Sequence, residues 1–456
     1  MKHSMMPLGL IILILCLAAS PWAKTVHKPT APDDMPSDVA STWFDQLYDL
    51  VKSEQSSPPV ASRIYGIAAV TPYEAMVPGS LANQSLVGQL TELSSVPQSD
   101  PHKKYDWPTV ANAALVQAIK GLFPTASSDS LNAINTLEQS FATQLQASVP
   151  PLVYARSVTQ GRAVADAVLA WASNDGFATI NNCDYTPPVG PGLWMPTPPT
   201  FVPKPLQPCW GQLRPFVLTS SDKCAPPSPP TYASASTSVF YANGLEVYNT
   251  NLNLTDAQAT IARYWADNPG ATGTPLGHWI AIVGQLARTN DLSLMAAAEA
   301  YARVGLAVAD AFIGCWQTKY TNNLLRPVTS IQAVINSTWV PLLVTPSFPS
   351  YTSGHSAQSG AVATVLTDMF GIIAFTDTLF ADHELMPAQA PRTFTSFDDA
   401  AEEAALSRLY AGIHYPFDNT NGLAQGRCIG QVILDRIRFQ RQQEYYHAAT
   451  WVPQRP

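Results

Sequence analysis

Apolar residues recur at helical spacing along most of the chain. In DVASTWFDQLYDLVKSE (38–54) the series Val39, Trp43, Leu47 and Leu50 repeats every three or four positions, which predicts an amphipathic helix. The same period runs through IYGIAAVTPYEAM (64–76), WPTVANAALVQAIKGLF (107–123), SDSLNAINTLEQSFATQLQ (128–146) and SVTQGRAVADAVLAWAS (157–173). Between about 181 and 232 the pattern stops, because prolines crowd (TPPVGPGLWMPTPP, CAPPSPP). Proline has no N–H and a fixed φ, so this segment is neither helix interior nor central strand. Trp194, Phe201, Trp210 and Phe216 are interleaved there, which predicts an ordered belt laid over the helices.

Helical spacing resumes at LTDAQATIARYWAD (254–267), where Thr255 is the expected cap. LSLMAAAEAYARVGLAVADAFIGCWQTKY (292–320) is apolar nearly all round and therefore belongs at the centre of a bundle. HSAQSGAVATVLTDMFGIIA (355–374), SFDDAAEEAALSRLY (396–410) and GLAQGRCIGQVILDRIRFQRQQEYY (422–446) complete the set. No strand alternation appears, so the expected fold is an all-α helical bundle with an irregular Pro-rich belt. The expected division is an N-terminal helical region at 24–250 and a C-terminal bundle at 251–456, readable also as one continuous domain.

The first residues change the picture of where the chain works. Lys2 and His3 precede an apolar stretch from Pro7 to Ala19, then small residues and Lys24, the pattern of a secretory signal peptide over 1–23. Cleavage is expected between Ala19 and Ala23, and no later stretch is apolar enough to span a bilayer. The expectation is an exported bacterial protein, periplasmic or secreted, with no membrane span in the mature chain. Export permits disulfides, and of the six cysteines all but Cys16 lie beyond the leader: Cys183, Cys209, Cys224, Cys315 and Cys428. That odd number leaves at least one thiol free, and Cys315, inside an apolar helix, reads as simply packed.

Charge is sparse: 13% of residues are charged and the formal net charge is -8. This excludes a basic nucleic-acid surface and makes any local gathering of cations informative. Three C-terminal segments gather them. KYTNNLLRP sets Lys319 and Arg326 two helical turns apart, a mobile point charge and a planar fork suited to a tetrahedral oxyanion. PSYTSGH puts Ser353, Gly354 and His355 at a helix start, where free backbone N–H groups and the dipole favour an anion. SRLYAGIHYPFD places Arg408 and His414 on either side of a turn, with Asp418 able to accept the His414 Nδ1–H and leave Nε2 free. Taken singly, the cations read as solvated, the Ser-Gly-His as a helix cap and Asp418 as a cap of the last helix. The Asp418 roles can coexist.

The patterns K-x6-RP, PS-x-x-SGH and SR-x5-H-x3-D, in this order, resemble the signature motifs of the type 2 phosphatidic acid phosphatase and vanadium-dependent haloperoxidase superfamily. WQTKYTNNLLRPVTSI, FPSYTSGHS and RLYAGIHYPFDN look most like its bacterial vanadium haloperoxidase branch, as do Gly277 to Trp279 (GHW) and PVGPGLWMPTPP. The resemblance implies that Lys319, Arg326, Ser353, Gly354 and Arg408 hold the oxygens of vanadate. It makes His414 the apical vanadium ligand and His355 the acid–base residue. Phe348 and Trp316 stand where chloride-oxidising relatives carry residues near the halide. The substrates implied are hydrogen peroxide and a halide.

The same cage suits phosphate, so an exported acid phosphatase acting on phosphate esters through a phosphohistidine at His414 is the alternative. A non-catalytic oxyanion-binding protein is a third reading, although binding alone needs no acid–base histidine. Whether the chain forms a homo-oligomer is left open. His278, within GHW, reads as a packed core histidine. Asp310, an acid in the apolar run LAVADAFIG, must either brace a site histidine or satisfy backbone groups.

Overall fold

The computed structural model describes residues 31–441. The expected signal peptide lies outside the described residues. Within them the fold is all-α, with a single two-stranded antiparallel ribbon, Phe375–Asp377 against Arg392–Phe394, that the sequence pattern did not show.

The apolar run at 292–320 forms the central helix, Leu294–Asn322, whose first turn is capped by Ser293 Oγ accepting the Ala296 N–H at 3.2 Å. Its small residues set how closely neighbours approach. A Cβ on Gly305 would lie 2.5 Å from the Ala69 Cβ, so only glycine lets the helix Pro58–Met76 cross at this distance.

Glycines also bring the site elements together. The final helix, Pro416–Arg436, lies in the groove of the helix Gly354–Phe370. It presents Gly422, Gly426 and Gly430, four residues apart and on one face. A Cβ at Gly426 would fall 2.0 Å from the Ala357 carbonyl oxygen, and one at Gly430 would fall 2.6 Å from Thr364 Cβ. This approach places the starts of both helices side by side, which is where the second and third motifs lie.

The belt is irregular, as expected, and is fixed rather than loose. Asp310 on the central helix accepts the N–H groups of Phe216, Val217 and Leu218 at 2.7, 2.8 and 2.8 Å, so it satisfies backbone donors and braces no histidine. Cys183–Cys209 closes a loop within the belt, and Cys224–Cys428 ties the belt to the final helix across 204 residues. Among the described residues Cys315 is the free, buried thiol.

Some boundaries differ from the sequence pattern. The helix Val239–Leu252, capped by Ser238, was not expected and runs through residue 250, where the C-terminal bundle was expected to begin. The helix starting at Gly354 ends at Phe370 instead of 374, because Gly371 adopts φ +75. The last helix ends at Arg436 rather than 446, and 442–446 fall outside the described residues.

Candidate active site

The motifs converge at the C-terminal end of the central helix. Lys319 sits in its last turn, and Asn323, at φ 47, turns the chain so that Arg326 becomes the N-cap residue of Pro327–Val334. Ser353 is the N-cap of Gly354–Phe370, its Oγ accepting the Ser356 N–H at 3.4 Å. Arg408 lies in the last turn of Phe397–Tyr410, and Gly412, at φ +78, swings the chain back to present His414.

Burial makes this cluster unusual. Lys319 and Arg326 are 0% exposed and Arg408 is 3% exposed. Among the described residues their polar contacts are carbonyls and histidines, never a carboxylate. Arg326 Nε donates to the Phe348 carbonyl at 2.7 Å and Nη1 to the Ile413 carbonyl at 2.9 Å. Arg408 Nη1 donates to the Trp265 carbonyl and lies 3.5 Å from His355 Nε2. Arg326 Nη2 and Arg408 Nε are buried with no partner. Burial lowers both guanidinium pKa values to about 10. An unpaired buried cation is costly, and an anion bound against these donors would remove that cost.

Lys319 departs from the simple picture of a free donor. Its Nζ gives its protons to the carbonyls of Pro349, Ser350 and Thr352, at 3.0, 2.9 and 2.5 Å. The lysine thus braces the loop that leads into Gly354 and acts on the site through its charge. Burial lowers its pKa, as expected for an ammonium removed from water.

His414 Nδ1 lies 2.8 Å from Asp418 Oδ2, so Nδ1 carries the proton and Nε2 is proton-free, accepting from Arg326 Nη1 at 3.0 Å. The same Asp418 oxygen accepts the Tyr415 N–H at 3.2 Å and the Ser350 hydroxyl. Asp418 therefore orients the histidine and caps the final helix at once. Burial pushes its carboxyl pKa up. Burial, then Arg326 and Lys319, hold His414 well below the usual imidazole range. His355 is half-buried, and burial followed by Arg408 keeps it neutral likewise.

Trp316 and Phe348 form one wall, with ring centroids 5.1 Å apart and the Arg326 guanidinium 4.7 Å from the Phe348 centroid. The belt supports this wall. The Leu206 carbonyl accepts Trp316 Nε1 at 3.3 Å and the Tyr320 hydroxyl at 2.6 Å. A Cβ on Gly354 would meet Phe312 and Trp316 at an ordinary 3.6 Å, so packing alone does not require glycine there.

Every motif residue named from the sequence is brought to this one place. Sequence reasoning missed Ser350 and Trp265, and it took His278 for a packed histidine when it also pairs with Asp267 and Asp377. No group of three or more His, Cys, Asp or Glu able to hold a metal cation occurs among the described residues. The donor set suits an oxyanion that also takes one nitrogen ligand: unpartnered guanidinium N–H groups, a helix start and one proton-free imidazole nitrogen.

Comparisons with known proteins agree with this geometry. Residues 332–443 match the family model described as the VCPO second helical-bundle domain. The vanadium-dependent bromoperoxidase of Ascophyllum nodosum is 36% identical over 93 residues, which is 18% of this chain and only 17% of that protein. A crystal structure of a bacterial vanadium-dependent iodoperoxidase superposes with a TM-score of 0.82 at 34% identity, over 89% of this chain and 97% of that one. A holo-type bacterial vanadium-dependent chloroperoxidase matches with a TM-score of 0.66 over 85% of this chain and 93% of that one. At 15% identity the latter likeness shows the fold alone.

Proposed function

The chain belongs to the vanadium-dependent haloperoxidase family, and from that premise we propose that it oxidises a halide with hydrogen peroxide at a vanadate seated among the three motifs. The observation that carries this reading is the pair of buried, unpartnered donors, Arg326 Nη2 and Arg408 Nε, beside a proton-free His414 Nε2. Arg326, Arg408, Ser353 and the N–H groups at Gly354 would hold the oxyanion, Lys319 would add charge through the 349–352 loop, and His414 Nε2 would ligate the vanadium. Bound vanadate supplies a Lewis-acidic centre that polarises peroxide without changing its own oxidation state.

The remaining chemistry falls to side chains. Asp418 keeps the His414 proton on Nδ1, so the donor nitrogen always faces the site. His355, held neutral by burial and by Arg408, is a base at neutral pH and accepts a proton from the entering peroxide at Nε2. Once protonated, the same nitrogen would return that proton to the peroxide oxygen that departs as water. Phe348 and Trp316 wall the side of the site where a polarisable halide would approach, with the Arg326 and Lys319 charges beneath their rings. Export supports the two disulfides, which need an oxidising compartment, and the leader pattern at 1–23 supplies the route.

The test is to strip the purified protein of bound oxyanion and titrate it with orthovanadate. Peroxide-dependent oxidation of iodide, bromide and chloride is followed in parallel with hydrolysis of a phosphate ester. Halide oxidation that appears with vanadate is expected. Ester hydrolysis that vanadate inhibits, with no halide oxidation, would replace this reading with the phosphohistidine route.

A further inference from the structure

A second buried charge cluster stands behind the oxyanion cage. His278 Nε2 lies 2.7 Å from Asp377 Oδ2, and its Nδ1 lies 3.0 Å from Asp267 Oδ2. His278 and Asp377 are 0% exposed and Asp267 2%. A neutral imidazole has one N–H and cannot donate to both carboxylates, so the geometry calls for the imidazolium. Burial alone would lower the His278 pKa, but Asp267 and Asp377 outweigh it and hold the ring at about 10. The cluster therefore carries two negative charges and one positive, in a core where apolar side chains would cost less.

What it touches explains its presence. The imidazolium stacks on the Trp265 indole, with centroids 4.3 Å apart and planes within 19°. Asp267, two residues further on, ties the same stretch of chain to His278 through Nδ1. Next to these two anchors lies the Trp265 carbonyl, which accepts Arg408 Nη1, and that guanidinium nitrogen lies 3.5 Å from His355 Nε2. Arg408 has no other carbonyl or carboxylate partner among the described residues, and its buried, unpartnered Nε is a donor left for the oxyanion. Asp377 holds the far end of the arrangement, its Oδ1 accepting the Leu379 N–H at 3.0 Å.

We propose that His278, clamped between Asp267 and Asp377, is a positioning residue for the oxyanion site. By fixing Trp265 it sets the carbonyl that aims Arg408, the guanidinium that faces His355. This rests on the vanadate-site reading given above. The clamp touches neither peroxide nor halide, so it acts on oxyanion binding and on turnover, not on halide affinity.

Two variants test it. Asp377→Asn keeps the side-chain shape and removes one charge. Trp265→Phe keeps the carbonyl and reduces the stacked face. The readouts are the orthovanadate dissociation constant of the oxyanion-free protein by equilibrium dialysis, kcat and KM for iodide, and the melting temperature. Each variant is expected to weaken orthovanadate binding about 10-fold and to lower kcat, with KM for iodide unchanged. A lower melting temperature with unaltered orthovanadate affinity would show a merely structural cluster and overturn the proposal.

Should neither variant fold, hydrogen exchange of the unaltered protein decides the matter. The 265–267 amides are expected to slow when orthovanadate binds, and unchanged exchange there overturns the proposal. If the unaltered protein takes up no orthovanadate, the functional reading falls first and this inference with it.

Discussion

Replacing Asp418 by Asn separates its two jobs. In the native protein Asp418 Oδ2 accepts the His414 Nδ1–H at 2.8 Å, the Tyr415 N–H at 3.2 Å and the Ser350 hydroxyl, while Oδ1 is buried without a partner. An amide oxygen in the Oδ2 position can take the same three hydrogen bonds, and its NH2 then occupies the place of the unpartnered Oδ1. Shape and cap survive, and only the charge is lost. Because burial already raises the Asp418 carboxyl pKa, a neutral group is well tolerated there, and the change in stability should stay within about 1 kcal/mol. Oxyanion binding should suffer much more. The carboxylate strengthens the Nε2 lone pair and fixes the tautomer, and losing such support costs about 10–100-fold in affinity, or about 1.4–2.7 kcal/mol. Equilibrium dialysis with orthovanadate and urea unfolding at pH 7 measure the two quantities. Affinity within twofold of the native protein, or a loss that tracks unfolding, would refute the reasoning.

Three further substitutions probe the site, the packing and the belt. His355→Ala should lower kcat by about 10²–10⁴-fold while orthovanadate affinity changes little, as equilibrium dialysis beside steady-state kinetics would show. Gly426→Ala should destabilise the fold by about 1–3 kcal/mol in urea, since its Cβ would lie 2.0 Å from the Ala357 carbonyl and must push the second and third motifs apart. Asp310→Ala removes the acceptor of three buried N–H groups and should cost about 3–5 kcal/mol in the same assay. Burial raises Asp310 from 3.8 to about 6, so between those values the folded chain holds a proton that the unfolded chain has released. Its contribution to stability therefore declines as pH rises from about 4 to about 6, and Asp310→Ala should remove that part of the pH dependence.

The motif residues were legible because helix geometry converts short spacings into shared faces and ends. Lys319 and Arg326 bracket one helix end, and Ser353 to His355 open another. The long periodic segments and the proline-dense belt were legible for the same local reasons. What stayed hidden depends on pairing between distant segments. Asp267, His278 and Asp377 come from a loop, a helix and a strand, and each alone reads as an ordinary residue. Cys224 and Cys428 are 204 residues apart, and no spacing rule joins them. The helix Val239–Leu252 offered only Phe240, Gly244 and Val247 as its buried stripe, too few apolar residues to stand out after the belt. The Lys319 charge was foreseen, but its capture by the carbonyls of the 349–352 loop depends on how that loop folds back.

A crystal structure of the protein soaked with orthovanadate tests the central claim most directly. The account predicts vanadium bonded to His414 Nε2, with its oxygens on Arg326 Nη2, Arg408 Nε and the N–H groups at Gly354. Vanadium on His355, or none within reach of His414 at saturating orthovanadate, would contradict it.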